Sequence, residues 1–140
     1  MRNLELSRYG RAFIAGSAYP VVFFPFALLS LSSWAKPDSG FSMESVVWFF
    51  PWAMGFWNVL FVKLRSRIPL SEKGRYWVWG ILLGVIFPTI GNLSGAPAKL
   101  WGLPFPFGLL VIPLGVSAYA LVWRYGVRAM NIIVGIDEEK

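Results

Sequence analysis

Residues 76–93 read YWVWGILLGVIFPTIGNL, a run without one charged side chain. As a helix it rises about 27 Å, close to the roughly 30 Å of hydrocarbon in a bilayer. Lys73 and Arg75 stand just before it. Outward from this run lie three more of the same kind, over residues 12–34, 46–62 and 107–123, and none contains Asp, Glu, Lys or Arg. The whole chain agrees with them. Of its 140 residues 56% are apolar and 14% charged, where a soluble domain carries about 25% charged residues. The surplus needs an apolar solvent. The expected fold is therefore all-α: an integral membrane four-helix bundle within a single domain, residues 1–140.

The basic residues orient it. Arg2, Arg8 and Arg11 precede the first run, and Lys63, Arg65, Arg67, Lys73 and Arg75 fill the gap between the second and third. Arg124, Arg128 and Lys140 follow the fourth, and only Lys36 and Lys99 fall on the other side. Eleven against two places both termini in the cytoplasm by the positive-inside rule. Trp34, Trp48 and Trp101 mark one expected interface, and Tyr9, Tyr76, Trp77, Trp123 and Tyr125 the other. The Arg-rich start followed by an apolar run also has the outline of a cleaved signal peptide. The length of the run, with Pro20 and Pro25 inside it, argues against cleavage. The tail Asp137-Glu138-Glu139-Lys140 is expected to fray. Small size and short loops point to the cytoplasmic membrane of a bacterium or archaeon.

A duplication is legible. Residues 6–16 read LSRYGRAFIAG and residues 70–80 read LSEKGRYWVWG. Gly16 thus answers Gly80 at an offset of 64, Pro25 answers Pro88 at 63, and Pro51 answers Pro113 at 62. Lys63 and Arg67 answer Arg124 and Arg128 at 61. The expected units, residues 1–67 and 68–130, are helical hairpins of two spans each. They would run parallel, related by an axis along the membrane normal.

Each expected span carries a proline, at Pro25, Pro51, Pro88 and Pro113. Counted from the cytoplasmic flank all four lie at roughly 16–21 Å of depth. Proline lacks the helical donor and frees the carbonyl four residues earlier. Kinks are therefore expected there, with the carbonyls of Val21, Val47, Gly84 and Leu109 turned to protein, water or a ligand. One reading is a cavity at the proline level. The plainer reading, that these prolines shape packing, is preferred. Gly80, Gly84, Gly91 and Gly95 fall on one face of the third span and Gly108 and Gly115 on the fourth, so a close contact between these spans is expected. The same stripe could instead join two copies. Asn58, Asn92, Thr89 and Tyr119 are the candidate polar or cavity residues. Lys63, Arg65, Arg67, Lys73, Arg75, Arg124 and Arg128 are candidate contacts to anionic lipid.

Enzymatic chemistry finds little footing. There is no His and no Cys, and every carboxylate lies in a flank or tail. No P-loop, zinc-protease helix or nucleophile elbow occurs. No metal and no cofactor is expected. The expected partners are membrane lipids and either further copies or another membrane protein, with no nucleic acid. The reading is a non-enzymatic accessory or scaffold subunit acting through helix contacts. The alternative is a small oligomeric transporter or channel with a pathway at the proline level.

Overall fold

The computed structural model describes residues 7–32, 43–102 and 104–137, with the side chains of 23–32, 43–48, 96, 100, 101, 106 and 107 left aside. The chain is all-helical, and no strand occurs among the described residues. Helix α1 (Arg8–Ser32) and α2 (Met43–Leu64) are followed by a 3-10 turn (Arg65–Arg67). Then come α3 (Glu72–Leu93), α4 (Ala96–Trp101), α5 (Phe105–Gly108) and α6 (Val111–Leu121). A π-helical stretch (Val122–Val127) carries α6 without a break into α7 (Arg128–Ile133). By length and hydropathy α3 can cross a membrane.

Local chemistry sets the limits of α3. Ser71 caps its start, accepting a hydrogen bond on Oγ from the Gly74 amide at 3.2 Å. Glu72 in the first turn complements the helix dipole. At the other end Gly95 takes φ 74°, and its amide reaches back to the Asn92 carbonyl at 3.0 Å. Only glycine holds that left-handed position without strain. Gly95 therefore ends the helix and does not extend a packing stripe. Gly91 differs from expectation as well, since a Cβ there would meet nothing within 4 Å.

The expected fourth span is two helices. Its apolar run is interrupted at Leu109–Leu110, between α5 and α6. Pro113 consequently sits in the first turn of α6, where an amide has no helical partner to lose, and it does not kink a continuous span. The Leu109 carbonyl, expected to be free, accepts from the Ile112 amide at 3.1 Å. Pro51 and Pro88 do lie inside helices, and so does Pro25.

Two helix pairs form the body of the fold, α1 with α2 and α3 with α6. Glycine brings the backbones together in both. A Cβ on Gly16 would stand 2.5 Å from the Met54 carbonyl oxygen and 3.1 Å from Gly55 Cα. One on Gly80 would stand 2.7 Å from the Tyr119 carbonyl oxygen and 2.8 Å from Ala120 Cα. Gly84 faces Val116 and Gly115, and Gly115 in turn faces Pro88 and the Gly84 carbonyl. Gly16 and Gly80 thus hold the same place in their pairs. Their partners Gly55 and Ala120 are 65 residues apart. By contact Pro51 then corresponds to Val116, and the 62-residue offset of the prolines is not the register of the crossing helices.

Aromatic rings join the pairs. Trp57 and Trp79 lie 5.1 Å apart, centroid to centroid. Each indole donates to the other's carbonyl, at 3.4 Å from Trp57 and 3.2 Å from Trp79. Phe61 packs on Tyr76 at 4.6 Å and edge-on to Trp123 at 6.5 Å. The centre around them holds Met54, Leu83 and Val127. The outside is just as apolar. Phe49, Trp52, Phe56 and Leu60 are exposed on α2, Ile81, Leu82, Val85, Ile86 and Ile90 on α3, and Leu114 and Leu121 on α6.

Candidate binding site at the basic end

One end of the fold collects the start of α1, the end of α2, the start of α3 and the end of α7. The helix that continues past Trp123 makes this possible. Trp123, Val127 and Asn131, each four residues on, are all fully buried. A π-helical stretch accommodates an extra residue per turn, and here it keeps that spacing on one face. Beyond Ile133 the chain turns at Gly135, with φ 71°. The Ile136 and Asp137 amides both bond back to the Asn131 carbonyl, at 2.8 and 3.3 Å. The end of the described chain is therefore a hook folded under the helices. Asp137, expected to fray, instead has a side chain only 4% exposed.

From this hook a line of hydrogen bonds runs inward. Arg65 Nη1 pairs with Asp137 Oδ1, and the Tyr76 hydroxyl donates to Asp137 Oδ2. Asn131 Nδ2 donates to the Tyr76 hydroxyl at 2.8 Å and to Asn58 Oδ1 at 3.2 Å. Asn58 Nδ2 returns a bond to Asn131 Oδ1 at 2.8 Å and reaches the Ala12 carbonyl at 2.8 Å. Every buried polar atom in this line has a partner, as burial away from water demands. Arg11 ties the hook from the other side, donating through Nη1 to the carbonyls of Val134 at 3.1 Å and Gly135 at 3.4 Å.

Beside the line opens a pocket of about 290 Å³ lined by Phe61, Arg65, Glu72, Arg75, Tyr76, Ile136 and Asp137. Arg65 also donates through Nη2 to the Ile136 carbonyl at 3.4 Å, and its guanidinium lies 6.0 Å from the centre of the Phe61 ring. Arg75 gives its Nε to the Ile68 carbonyl at 3.1 Å. Glu72 stands 3.6 Å from Arg128 Nε, within ion-pair reach but too long for a hydrogen bond. Two guanidinium groups and two carboxylates thus share one polar recess. Comparison with known proteins adds no relative: no family model, curated protein or solved structure matches this chain.

The residues singled out in the sequence are not gathered in one place. Asn58 belongs to the polar line. Asn92 lies at the other end of α3, where it donates to the Pro88 carbonyl at 2.9 Å and abuts Gly108. Tyr119 packs among rings, stacked on Phe50 at 6.2 Å and edge-on to Phe87 at 5.9 Å. Thr89 is half-buried. At the prolines it is their own carbonyls that attract side-chain donors. Ser17 Oγ donates to the Pro51 carbonyl at 2.9 Å, and Ser117 Oγ to that of Pro113 at 3.0 Å. Among the basic candidates Arg65 and Arg75 line the pocket, while Lys63, Arg67 and Lys73 are exposed. Arg124 lies over the Tyr125 ring at 5.3 Å. Sequence reasoning passes over Asn131 and leaves Asp137 in a fraying tail, because the apolar run ends at Trp123. Their signal was the four-residue spacing from Trp123 to Asn131, followed by a glycine stop at Gly135.

Proposed function

We propose that this chain crosses a membrane four times with both termini cytoplasmic. It serves there as a non-enzymatic accessory or scaffold subunit that works through helix contacts. The observation that carries the reading is the inverted distribution of polarity. Asn58, Tyr76, Asn131 and Asp137 lie buried together and bonded to one another, while the long faces of α2, α3 and α6 turn Phe, Trp, Leu, Ile and Val outward. A soluble monomer seldom exposes contiguous apolar surface beyond a few hundred Å², and lipid is the solvent that suits these faces. The charged groups of Arg11, Arg65, Glu72, Arg75, Arg128 and Asp137 meet at one end, as an inner membrane interface would have them. The matched places of Gly16 and Gly80 support descent from a duplicated hairpin.

The scaffold role is favoured over transport because Asn58, Asn92 and Tyr119 are spent on packing contacts. The partners it implies are membrane lipids and a membrane protein or further copies of the chain, in a bacterial or archaeal cytoplasmic membrane. The small oligomeric transporter remains the second reading, favoured by the polar pocket at the basic end. Purification from the native membrane in mild detergent, with cross-linking and mass spectrometry, separates the two. The scaffold reading expects a protein partner in fixed stoichiometry. A homo-oligomer that carries only lipid and passes solute in liposomes would overturn it.

A further inference from the structure

We propose that the pocket at the basic end binds an anionic phosphate group, and that the Asp137 carboxylate is its internal occupant, displaced when phosphate enters. The donors for an anion are already assembled. Arg65 and the Tyr76 hydroxyl grip the two oxygens of Asp137, which is how a planar guanidinium and a buried hydroxyl hold an oxyanion. Arg75 lines the same recess and, among the described residues, bonds no carboxylate. A phosphate in the place of Asp137 would keep both existing donors and gain a third. At about 290 Å³ the recess suits a small headgroup, at the lower end of the range for ligand pockets.

Shared donors make the two occupants exclusive. The Tyr76 hydroxyl has one hydrogen to give, and it goes to Asp137; Arg65 Nη1 is engaged by the same carboxylate. Asp137 has to leave before a phosphate can take both donors. Glu72 is fixed in the first turn of α3 beside Arg128. Asp137 sits on the hook past Gly135, outside any helix, held by amide bonds to the Asn131 carbonyl and by Arg11 and Arg65. Releasing Asp137 shifts only this short hook, whereas releasing Glu72 would unwind the start of α3. Phosphate can come from a lipid headgroup or from solution. The lipid source rests on the membrane reading above, whereas the free source does not.

The test uses the full chain carrying Ile136→Cys, its only thiol, in mild detergent and in nanodiscs. The rate of maleimide labelling reports release of the hook. Inorganic phosphate is titrated in detergent. Nanodiscs of phosphatidylcholine alone, whose phosphate is masked by its own cation, are compared with nanodiscs containing phosphatidylglycerol. An increase of about tenfold with either probe is expected. A response to inorganic phosphate assigns the free anion, and a response to phosphatidylglycerol alone assigns the headgroup. Asp137→Asn should bind the effective probe about tenfold more tightly. Should that variant fold poorly, Arg75→Gln carries the test, since Arg75 makes no bond to the hook. It should label at the basal rate and lose the response. No response to either probe, or a full response in Arg75→Gln, overturns the proposal. A chain that fails to enter nanodiscs but responds to phosphate in detergent would sink the membrane reading and leave the site standing.

Discussion

Leucine in place of Gly84 is expected to part α3 from α6 and, on the proposed membrane reading, to leave insertion intact. A Cβ at Gly84 would lie 2.5 Å from Val116 Cα and 2.9 Å from the Gly115 carbonyl oxygen. Those atoms are backbone, so no rotamer can relieve the clash and the two helices must separate. Overpacking a core typically costs 1–3 kcal/mol, and a contact of backbone on backbone belongs at or above about 3 kcal/mol on that scale. The measurement is the thermal midpoint in detergent, with the amount in the membrane fraction as the control for insertion. Gly91→Leu is the internal comparison, on the same helix and seven residues on. A Cβ at Gly91 meets nothing within 4 Å, so that variant should stay within about 0.5 kcal/mol of the parent. Equal behaviour of the two variants would contradict the crossing described here.

The second large effect is expected at the asparagine pair. Asn58→Ala removes a donor from Asn131 Oδ1 and an acceptor from Asn131 Nδ2, deep in a centre that water does not reach. An unsatisfied buried group costs about 1–3 kcal/mol, and interhelical bonds in membrane proteins measure about 0.6–2 kcal/mol. A loss of about 2 kcal/mol follows for Asn58→Ala, and the same for Asn131→Ala. The double variant should lose less than the sum, by roughly 0.5–2 kcal/mol, because the first change already breaks the shared bonds. Strictly additive losses would mean that the two residues act separately. A shortfall in Asn131→Ala alone would trace to its further bond with Tyr76.

Much of the fold was legible in the sequence because long apolar runs without charge have few alternatives to a helix. Residues 46–62 and 76–93 fall inside α2 and α3, and the Gly80 and Gly84 stripe marked the face that meets α6. Three features were hidden, each for a physical reason. The break at Leu109–Leu110 involves residues as apolar as their neighbours, so hydropathy has nothing to register. The stripe was extended to Gly95 on the assumption that the helix continued, whereas a left-handed glycine stopped it. The hook was missed because charge at Arg124 and Arg128 reads as the end of a span. Long basic side chains can carry their charge outward while the helix beneath them continues buried. Asp137 looked like one acid in an acidic tail, and its role depends on Arg65 and Tyr76, which lie far from it in sequence.

The central claim is that the outward apolar faces meet lipid, and thiol accessibility tests it most directly. The chain has no cysteine, so each introduced thiol is the only one. Phe56 is 61% exposed on the bare chain, and in water Phe56→Cys would react as readily as a surface residue. In intact cells and inverted vesicles treated with a membrane-impermeant maleimide, Phe56→Cys should stay unlabelled from both sides. Ser66→Cys should label only from the cytoplasmic face and Ser94→Cys only from the opposite face. Rapid labelling of Phe56→Cys, or labelling of Ser66→Cys and Ser94→Cys from one and the same side, would contradict the account.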